Sequence, residues 1–175
     1  MENEKTPLYV AFSTQKGGVG KTTFTVLAAS YLYYLKGYGV VVVDCDYPQH
    51  SIAGMRKRDA EMVGEDEDYK RMAYEQFTRL GKKAYPVLCS SPEKAIATAD
   101  EYITAAANVP DIVFFDLPGT VNSEGVINSL SGMDYIFTPI AADKVVLESS
   151  LSFAVAINKL LVRLSLIHIS EPTRQ

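Results

Sequence analysis

Three short segments of the 175-residue sequence contain residues whose types and spacing suit phosphate chemistry. The first, residues 15–23, reads QKGGVGKTT and follows the standard phosphate loop G-x-x-x-x-G-K-[ST], except that Gln15 replaces the first glycine. Small residues let successive backbone N–H groups turn inward around an anion, and a helix that begins near Lys21 adds its positive end. We expect Lys21 to reach the β- and γ-phosphates of a nucleotide and the hydroxyl of Thr22 to ligate Mg²⁺. An ordinary glycine-rich turn is the alternative, and the position between a β-prone run and a helical pattern argues against it.

The other two segments place aspartates directly after apolar runs. Asp44 and Asp46 follow a run of four valines, and Asp116 ends the run IVFF before Leu-Pro-Gly. In α/β proteins ligands bind at the edge where parallel strands end, so these carboxylates are expected beside the glycine loop. Asp116 suits a Walker B aspartate, which meets a magnesium-bound water beside Thr22. Either Asp44 or Asp46 could instead cap the helix that follows.

Alternating β-prone and helical patterns predict the elements that position these residues. Short apolar runs predict five strands, at residues 8–13, 40–44, 85–89, 112–116 and 135–140. Helical patterns lie near residues 52–62, 68–80, 93–107 and 145–161, and another follows the glycine loop and ends at Gly37 and Gly39. In this first helix we expect one buried apolar stripe, formed by Phe24, Leu27, Ala28, Tyr31, Leu32 and Leu35. The predicted fold is a three-layer, Rossmann-like, doubly wound α/β domain of the P-loop NTPase kind with a mostly parallel sheet.

Composition excludes several other classes of protein. The chain is 47% hydrophobic, and its 17 Lys+Arg against 21 Asp+Glu leave a net charge of -4, which gives no bulk electrostatic case for wrapping nucleic acid or an anionic membrane. No apolar run approaches the length that spans a bilayer, and two cysteines are too few for a disulfide framework, so we expect a cytoplasmic protein without a membrane segment. Residues 56–83 are the most polar stretch; we favour a solvated helical face there over a docking surface for DNA or a partner. Cys45 is expected to be packed, and His50 to be a loop residue.

The end of the chain does not resemble an evolved terminus. Residues 164–175 read LSLIHISEPTRQ, which resembles the translation of a sequencing adapter; a frayed helix end with a polar tail is the alternative. We therefore expect a P-loop ATPase domain over residues 1–163 that lacks its last elements, followed by a non-native tail over residues 164–175.

The run KGGVGKTT, with a lysine at Lys16, resembles the deviant Walker A signature of the ParA and MinD family of dimerising ATPases, and the resemblance covers residues 8–163. It implies a slow, partner-stimulated ATPase that uses ATP and Mg²⁺ and cycles between an ATP-bound dimer and an ADP-bound monomer. In that family the extra lysine reaches the partner's phosphates, a role that falls here to Lys16. By the same resemblance, Asp44 would support the Mg²⁺ shell, Asp46 would orient the attacking water, and Gly119 would report loss of the γ-phosphate, although Tyr47 is inserted in the family's D-x-D-P-Q pattern.

The resemblance also implies a cargo and partners. The cargo would be DNA of a plasmid or mobile element, handled with a ParB-like adapter protein, and a MinD-like membrane or protein-assembly factor is the alternative. The implied catalytic residues are Lys16, Lys21 and Asp46, and the implied metal-binding residues are Thr22, Asp44 and Asp116. The implied nucleotide-binding residues are Gly17, Gly18, Val19, Gly20, Lys21, Thr22, Thr23 and Gly119.

Overall fold

Five parallel strands form the sheet that positions the predicted site. The structure, a computed structural model, describes residues 6–14, 18–119, 123–140 and 144–170. The strands are β1 (Leu8–Phe12), β2 (Val40–Asp44), β3 (Val87–Cys89), β4 (Ile112–Asp116) and β5 (Tyr135–Phe137), in the order β3-β2-β4-β1-β5. Every pairing is parallel, which confirms the predicted doubly wound α/β fold.

Helices cover both faces of this sheet. They are α1 (Lys21–Ser30), which continues as a π-helical turn over Tyr31–Leu35, then α2 (Ser51–Glu65), α3 (Glu67–Leu80), α4 (Ala95–Ala105) after a 3₁₀ turn at Pro92–Lys94, α5 (Glu124–Ser131) and α6 (Lys144–Ser170). Residues of α4, α5 and α6 pack with Val41 and Val43 in one core cluster. Residues of α1 and α2 pack with Val40 and Val42 in the other. β2, four valines followed by Asp44, is buried along its whole length because it separates the two clusters.

The strand register brings the predicted aspartates to one edge of the sheet. Asp44, at the end of β2, pairs with Asp116, at the end of β4, and β4 in turn pairs with β1. Since all five strands are parallel, their carboxyl ends meet at the same edge. The connection that follows β1 therefore starts at the same edge, beside Asp116, with Asp44 one strand farther away.

The predicted apolar stripe of α1 is wrong at four of its six residues. Phe24, Leu27, Tyr31 and Leu35 are 46%, 60%, 48% and 74% exposed, whereas Thr25 and Ala29 are buried against the sheet. Small residues at the contact let the helix backbone lie close to the strands, and the larger side chains then fall on its flank. The π-helical turn also shifts the phase of the helix, so Tyr33 and Tyr34 join Ala28 and Leu32 at the edge of the second core cluster.

The polar stretch forms most of a helical hairpin on the α1 side of the sheet. Within α2 and α3 three basic side chains pair with acidic ones a turn away: Lys57 with Glu61 at 3.8 Å, Lys70 with Glu67 at 2.6 Å and Arg71 with Asp68 at 2.7 Å. None of the side chains of α3 is fully buried. The exposed side chains and these pairs agree with the solvated helical face that the sequence favoured.

Several predicted boundaries shift by a few residues. β3 and β5 are shorter than expected, and the predicted helix near residues 93–107 divides into the 3₁₀ turn and α4. The last helix is longer than expected and runs without interruption past residue 163. Among the described residues no helix is both long and apolar enough to cross a membrane.

Candidate functional site

The glycine loop leads directly into α1 at the carboxyl edge of the sheet. Gly18 and Gly20 have φ angles of +76° and +87°, a left-handed conformation that side chains other than glycine rarely adopt. Gly20 stands at the N-cap of α1 and no side chain caps the helix, so the first amides of α1 have no side-chain acceptor. Such amides are suited to an anionic ligand. Lys16 and Gly17 lie outside the described residues.

Lys21 points its ammonium group at the segment that follows β4. A Cβ atom built on Gly119 would lie 3.0 Å from Nζ of Lys21, closer than side-chain carbons normally approach. The absence of a side chain at Gly119 therefore leaves room for the ammonium group. The predicted phosphate lysine and the predicted reporter glycine are thus neighbours in the fold.

Thr22 and Asp116 are joined by a hydrogen bond. The hydroxyl of Thr22, in the first turn of α1, donates to Oδ2 of Asp116 over 2.8 Å. The other oxygen, Oδ1, is buried without a hydrogen-bond partner in the described part of the chain. Burial raises the pKa of Asp116 to about 6; the bond from Thr22 opposes this rise, and the charge of Asp44 adds to it. A buried carboxylate with one free oxygen beside a hydroxyl suits a magnesium ion and its bound water.

Asp44 caps α2, which is the alternative that the sequence left open. Its carboxylate is fully buried, and Oδ2 accepts hydrogen bonds from the backbone N–H groups of Ile52 at 2.9 Å and Ala53 at 3.0 Å. These bonds satisfy two amides at the start of the helix. The support of the magnesium shell by Asp44 stays a prediction.

Asp46 lies at the same edge in a tight turn. Its carbonyl oxygen accepts from the N–H groups of Gln49 and His50, each at 2.9 Å, while its half-buried carboxylate has no hydrogen bond to the described residues. Its negative charge contributes to the raised pKa of Asp116, so the two carboxylates are close enough to interact. The inserted Tyr47 is 69% exposed and its ring packs on that of His50, away from the core.

The remaining predicted residues are placed as follows. Val19 is half-buried before Gly20, and Thr23 is exposed in the first turn of α1. Cys45 is fully buried, and burial raises its thiol pKa, as expected for a packed cysteine. His50 lies in the turn before α2 with a φ of +41°, and its Nδ1 is 3.1 Å from the carbonyl oxygen of Asp44.

Two polar residues at this edge were not singled out from the sequence. Ser13 and Thr14, which follow β1, are 1% and 0% exposed, and neither hydroxyl has a hydrogen-bond partner within the described ranges. The only sequence signal is their position, since they are polar residues that directly follow a buried apolar strand. The motif begins one residue later and does not include them.

The residues present fit a magnesium–nucleotide complex. The first turn of α1 offers uncapped amides, Lys21 offers a cation, and Thr22 with Asp116 offers two oxygen groups joined by a hydrogen bond. The described residues hold no group of three or more His, Cys, Asp or Glu side chains that could form an all-protein metal cage. Magnesium in phosphate-transfer sites is held by one or two protein oxygens plus water and phosphate, so it requires no such cage.

Comparisons with known proteins concern the family and the fold of the chain. Residues 10–163 match the family CbiA, described as the CobQ/CobB/MinD/ParA nucleotide binding domain. No curated protein matches the chain. A plasmid partition protein from Borrelia burgdorferi has a similar structure, with a TM-score of 0.61, 20% identity and coverage of 89% of this chain and 74% of its own. A plasmid partition protein from the same organism, bound to AMPPNP, has a TM-score of 0.60 and 20% identity. The match covers 89% of this chain and 72% of that protein's chain. At this identity the structural likeness shows the fold alone, whereas the family match spans most of the 175 residues. The chain therefore belongs to the CobQ/CobB/MinD/ParA nucleotide-binding domain family.

Proposed function

We propose that the protein is a magnesium-dependent ATPase of the ParA type, in which nucleotide binding and slow, partner-stimulated hydrolysis switch the chain between a dimer and a monomer. The observation that supports this most directly is the convergence of Lys21, Thr22, Asp116 and Gly119 at one edge of the sheet. Four residues from two separate segments of the chain meet where a phosphate loop requires them.

The roles of the chain's own groups follow from their chemistry. The amides of the loop and of the first turn of α1 bind the phosphate oxygens, and Lys21 balances negative charge on the β- and γ-phosphates. Thr22 and Asp116 would hold a magnesium ion. When bound there, the ion would supply positive charge against the negative charge of the phosphates. Asp46 orients the attacking water from the turn after β2, and Gly119 lets its segment approach the γ-phosphate.

Lys16 completes the site from a second copy of the chain in this proposal. Its support is the KGGVGKTT sequence, because Lys16 itself lies outside the described residues. A lysine from the partner would add positive charge only when two loaded subunits face each other. Hydrolysis would then depend on assembly, which is what a dimerisation switch requires.

DNA of a plasmid or mobile element, together with a ParB-like adapter, is the proposed cargo and partner. The two structures described above are of plasmid partition proteins, which supports the DNA assignment. The net charge of -4 and the paired charges of α2 and α3 do not add to that support. Cosedimentation with DNA and with anionic liposomes, each with and without ATP, separates the partition function from a MinD-like membrane function.

Nucleotide binding itself is tested with Lys21→Ala against Lys57→Ala. Lys57 is a matched control because its side chain is 79% exposed on α2 and pairs with Glu61 of the same helix. We expect Lys21→Ala to weaken the binding of fluorescent ATP by about 100-fold, as for the loss of a buried charge-assisted contact, while Lys57→Ala binds as the wild type does. Equal binding by both variants would remove Lys21 from the site.

A further inference from the structure

The connection that follows α3 packs against the π-helical turn at the end of α1. The hydroxyl of Tyr33 donates to the carbonyl oxygen of Lys83 over 2.6 Å, and the ammonium group of Lys82 lies 3.9 Å from the centre of the Tyr33 ring. Lys82 also donates to the carbonyl oxygen of Gly37, the residue after Lys36, over 3.5 Å. These contacts bring Lys36, Lys82 and Lys83 together from two distant segments, and we call them the lysine surface.

The lysine surface carries positive charge that the described residues do not neutralise. None of its three ammonium groups forms an ion pair there, whereas Lys57 and Lys70 each pair with a glutamate on their own helix. Asp111 brings one negative charge to the neighbouring connection, where its Oδ2 accepts from the N–H of Gly39 over 2.6 Å. Three lysines beside one aspartate leave this surface positive in a chain whose net charge is -4.

Two helix ends meet at the lysine surface, and a cation near the carboxyl end of a helix often has a structural role. The helix α3 ends at Gly81 with a φ of +63°, and the π-helical turn ends shortly before Gly37, with a φ of +81°. Lys82 takes the structural role, since it donates to the carbonyl oxygen of Gly37. The ammonium groups of Lys36 and Lys83 donate no hydrogen bond to the described residues, so the helix ends do not account for them.

Exposed tyrosines stand among the three lysines. The ammonium group of Lys36 lies 5.4 Å from the centre of the Tyr31 ring, and Tyr31 is 48% exposed. Tyr74, which is 72% exposed, lines an open groove of about 520 Å³ together with Lys82 and Lys83. Lysine ammonium groups and tyrosine hydroxyls are among the donors with which proteins bind the phosphates of DNA.

The lysine surface lies at the opposite edge of the sheet from the nucleotide site. The π-helical turn leads into the start of β2, and the connection after α3 leads into the start of β3. Because these strands are parallel, both starts lie at the amino edge, whereas Asp116 and Thr22 meet at the carboxyl edge. A polyanion bound to the lysine surface therefore leaves the phosphate loop accessible.

We propose that the lysine surface binds the phosphate backbone of double-stranded DNA. Each ammonium group releases a cation condensed on the DNA, so the contact does not depend on base sequence and weakens as the salt concentration rises. An open groove suits a backbone that runs along it, whereas a flat bilayer does not enter a groove. The inference rests on the proposed function, which makes DNA the cargo, and it separates Lys82 and Lys83 from the solvated helical faces of the polar stretch.

The full chain with Lys36, Lys82 and Lys83 all replaced by alanine tests this surface. Binding of a fluorescent DNA duplex is measured at several salt concentrations, with Mg²⁺ and a non-hydrolysable ATP analogue present. We expect weaker binding, and we expect the slope of log affinity against log salt to fall by about 3 for each chain that contacts the DNA, roughly one for each lost phosphate contact. Affinity for the ATP analogue should stay unchanged, because the nucleotide site lies at the other edge.

Two further triple variants are the controls. Alanine at Lys57, Lys70 and Arg71 removes the same amount of positive charge from the neighbouring helices α2 and α3, where these side chains are exposed and paired with acidic ones. This variant should keep the wild-type salt slope, because the charge is lost away from the lysine surface. Arginine at all three positions of the lysine surface keeps the charge and should also keep the slope.

If the triple alanine variant does not fold, Lys36→Ala with Lys83→Ala leaves the contacts of Lys82 in place and should lower the slope by about 2 for each chain. An unchanged slope in the folded variant, or an equal fall in the α2 and α3 control, would overturn the proposed surface. Binding to anionic liposomes that is lost in the variant while DNA binding persists would also overturn it and assign the surface to a membrane. A wild-type chain that binds no DNA would instead reject the proposed cargo, so the two failures are distinguishable.

Discussion

At the scale of single residues, the ionised carboxylate of Asp116 is expected to destabilise the ligand-free protein. Burial raises its pKa to about 6 from an ordinary value of 3.8, and the hydrogen bond from Thr22 offsets only part of that rise. A buried carboxylate with a free oxygen costs stability in the ligand-free protein. A bound cation would remove that cost, because it stabilises the ionised form.

Asp116→Asn should therefore stabilise the ligand-free protein at neutral pH. The folded state binds the Asp116 proton more tightly than the unfolded state, so ionisation of this group destabilises the fold fully above about pH 6 and not at all below about pH 4. At pH 7.5 the asparagine variant should be more stable by up to about 3 kcal/mol, and the difference should shrink as the pH falls to 5. Urea unfolding at both pH values measures it, and a difference that does not depend on pH would contradict the raised pKa.

Gly119→Ala should displace the ammonium group of Lys21. The added Cβ would lie 3.0 Å from Nζ, which is the far end of a flexible side chain, so the fold should tolerate the change while the cation moves. We expect ATP affinity to fall about tenfold, roughly the effect of one weakened charge-assisted contact. Gly54→Ala in α2 is the control, because a Cβ there meets nothing within 4 Å. A loss of affinity in both variants, or in neither, would contradict this placement.

At the scale of secondary-structure elements, α2 begins where the carboxylate of Asp44 accepts two of its amides. Asp44→Ala would leave those amides without a side-chain acceptor and should destabilise the protein by about 2 kcal/mol, whereas Asp44→Asn keeps an acceptor oxygen and should cost less than about 1 kcal/mol. Urea unfolding distinguishes the two. An alanine variant as stable as the wild type would show that the cap contributes little.

The positions of strands were predicted most accurately where the strand is buried on both faces and ends in an aspartate. The four valines before Asp44 and the run before Asp116 both became strands at their predicted positions. The buried face of the first helix was predicted wrongly. The apolar pattern placed Phe24 and Leu27 on that face, whereas in the structure the small residues Thr25 and Ala29 pack closely on the sheet. Side-chain size at a contact depends on the distance between helix and sheet, which the pattern does not contain.

The candidate site was predicted only in part for a related reason. Thr22 and Asp116 could be paired in advance because a motif gives their chemistry and the parallel sheet gives their edge. The capping role of Asp44 needed the structure, because the same spacing suits a cap or a metal shell. Thr14 was missed because its burial follows from how the strand enters the loop.

At the scale of the whole molecule, the account predicts that each site is shared between two chains. Lys16→Ala and Asp46→Ala should each be nearly inactive. An equal mixture should recover roughly a quarter of wild-type ATPase activity, because mixed dimers have one intact site that combines Asp46 of one chain with Lys16 of the other. Phosphate release by the mixture measures this. Lys57→Ala mixed with Asp46→Ala is the control for inhibition by an inactive chain, and it should retain about half of the activity whether or not the subunits exchange. No recovery, in a mixture shown to form mixed dimers, would place Lys16 in its own chain's site.

In the proposed function, the loop after β1 and the first turn of α1 hold a triphosphate beside Asp116. Backbone amide NMR spectra of the full chain, recorded with and without a magnesium complex of a non-hydrolysable ATP analogue, test it most directly. We predict that the largest shifts fall on the amides of residues 17–23 and 116–119, and that Lys21→Ala abolishes them. Shifts centred on another part of the chain, or saturable binding that leaves Gly20, Lys21 and Thr22 unperturbed, would contradict the account.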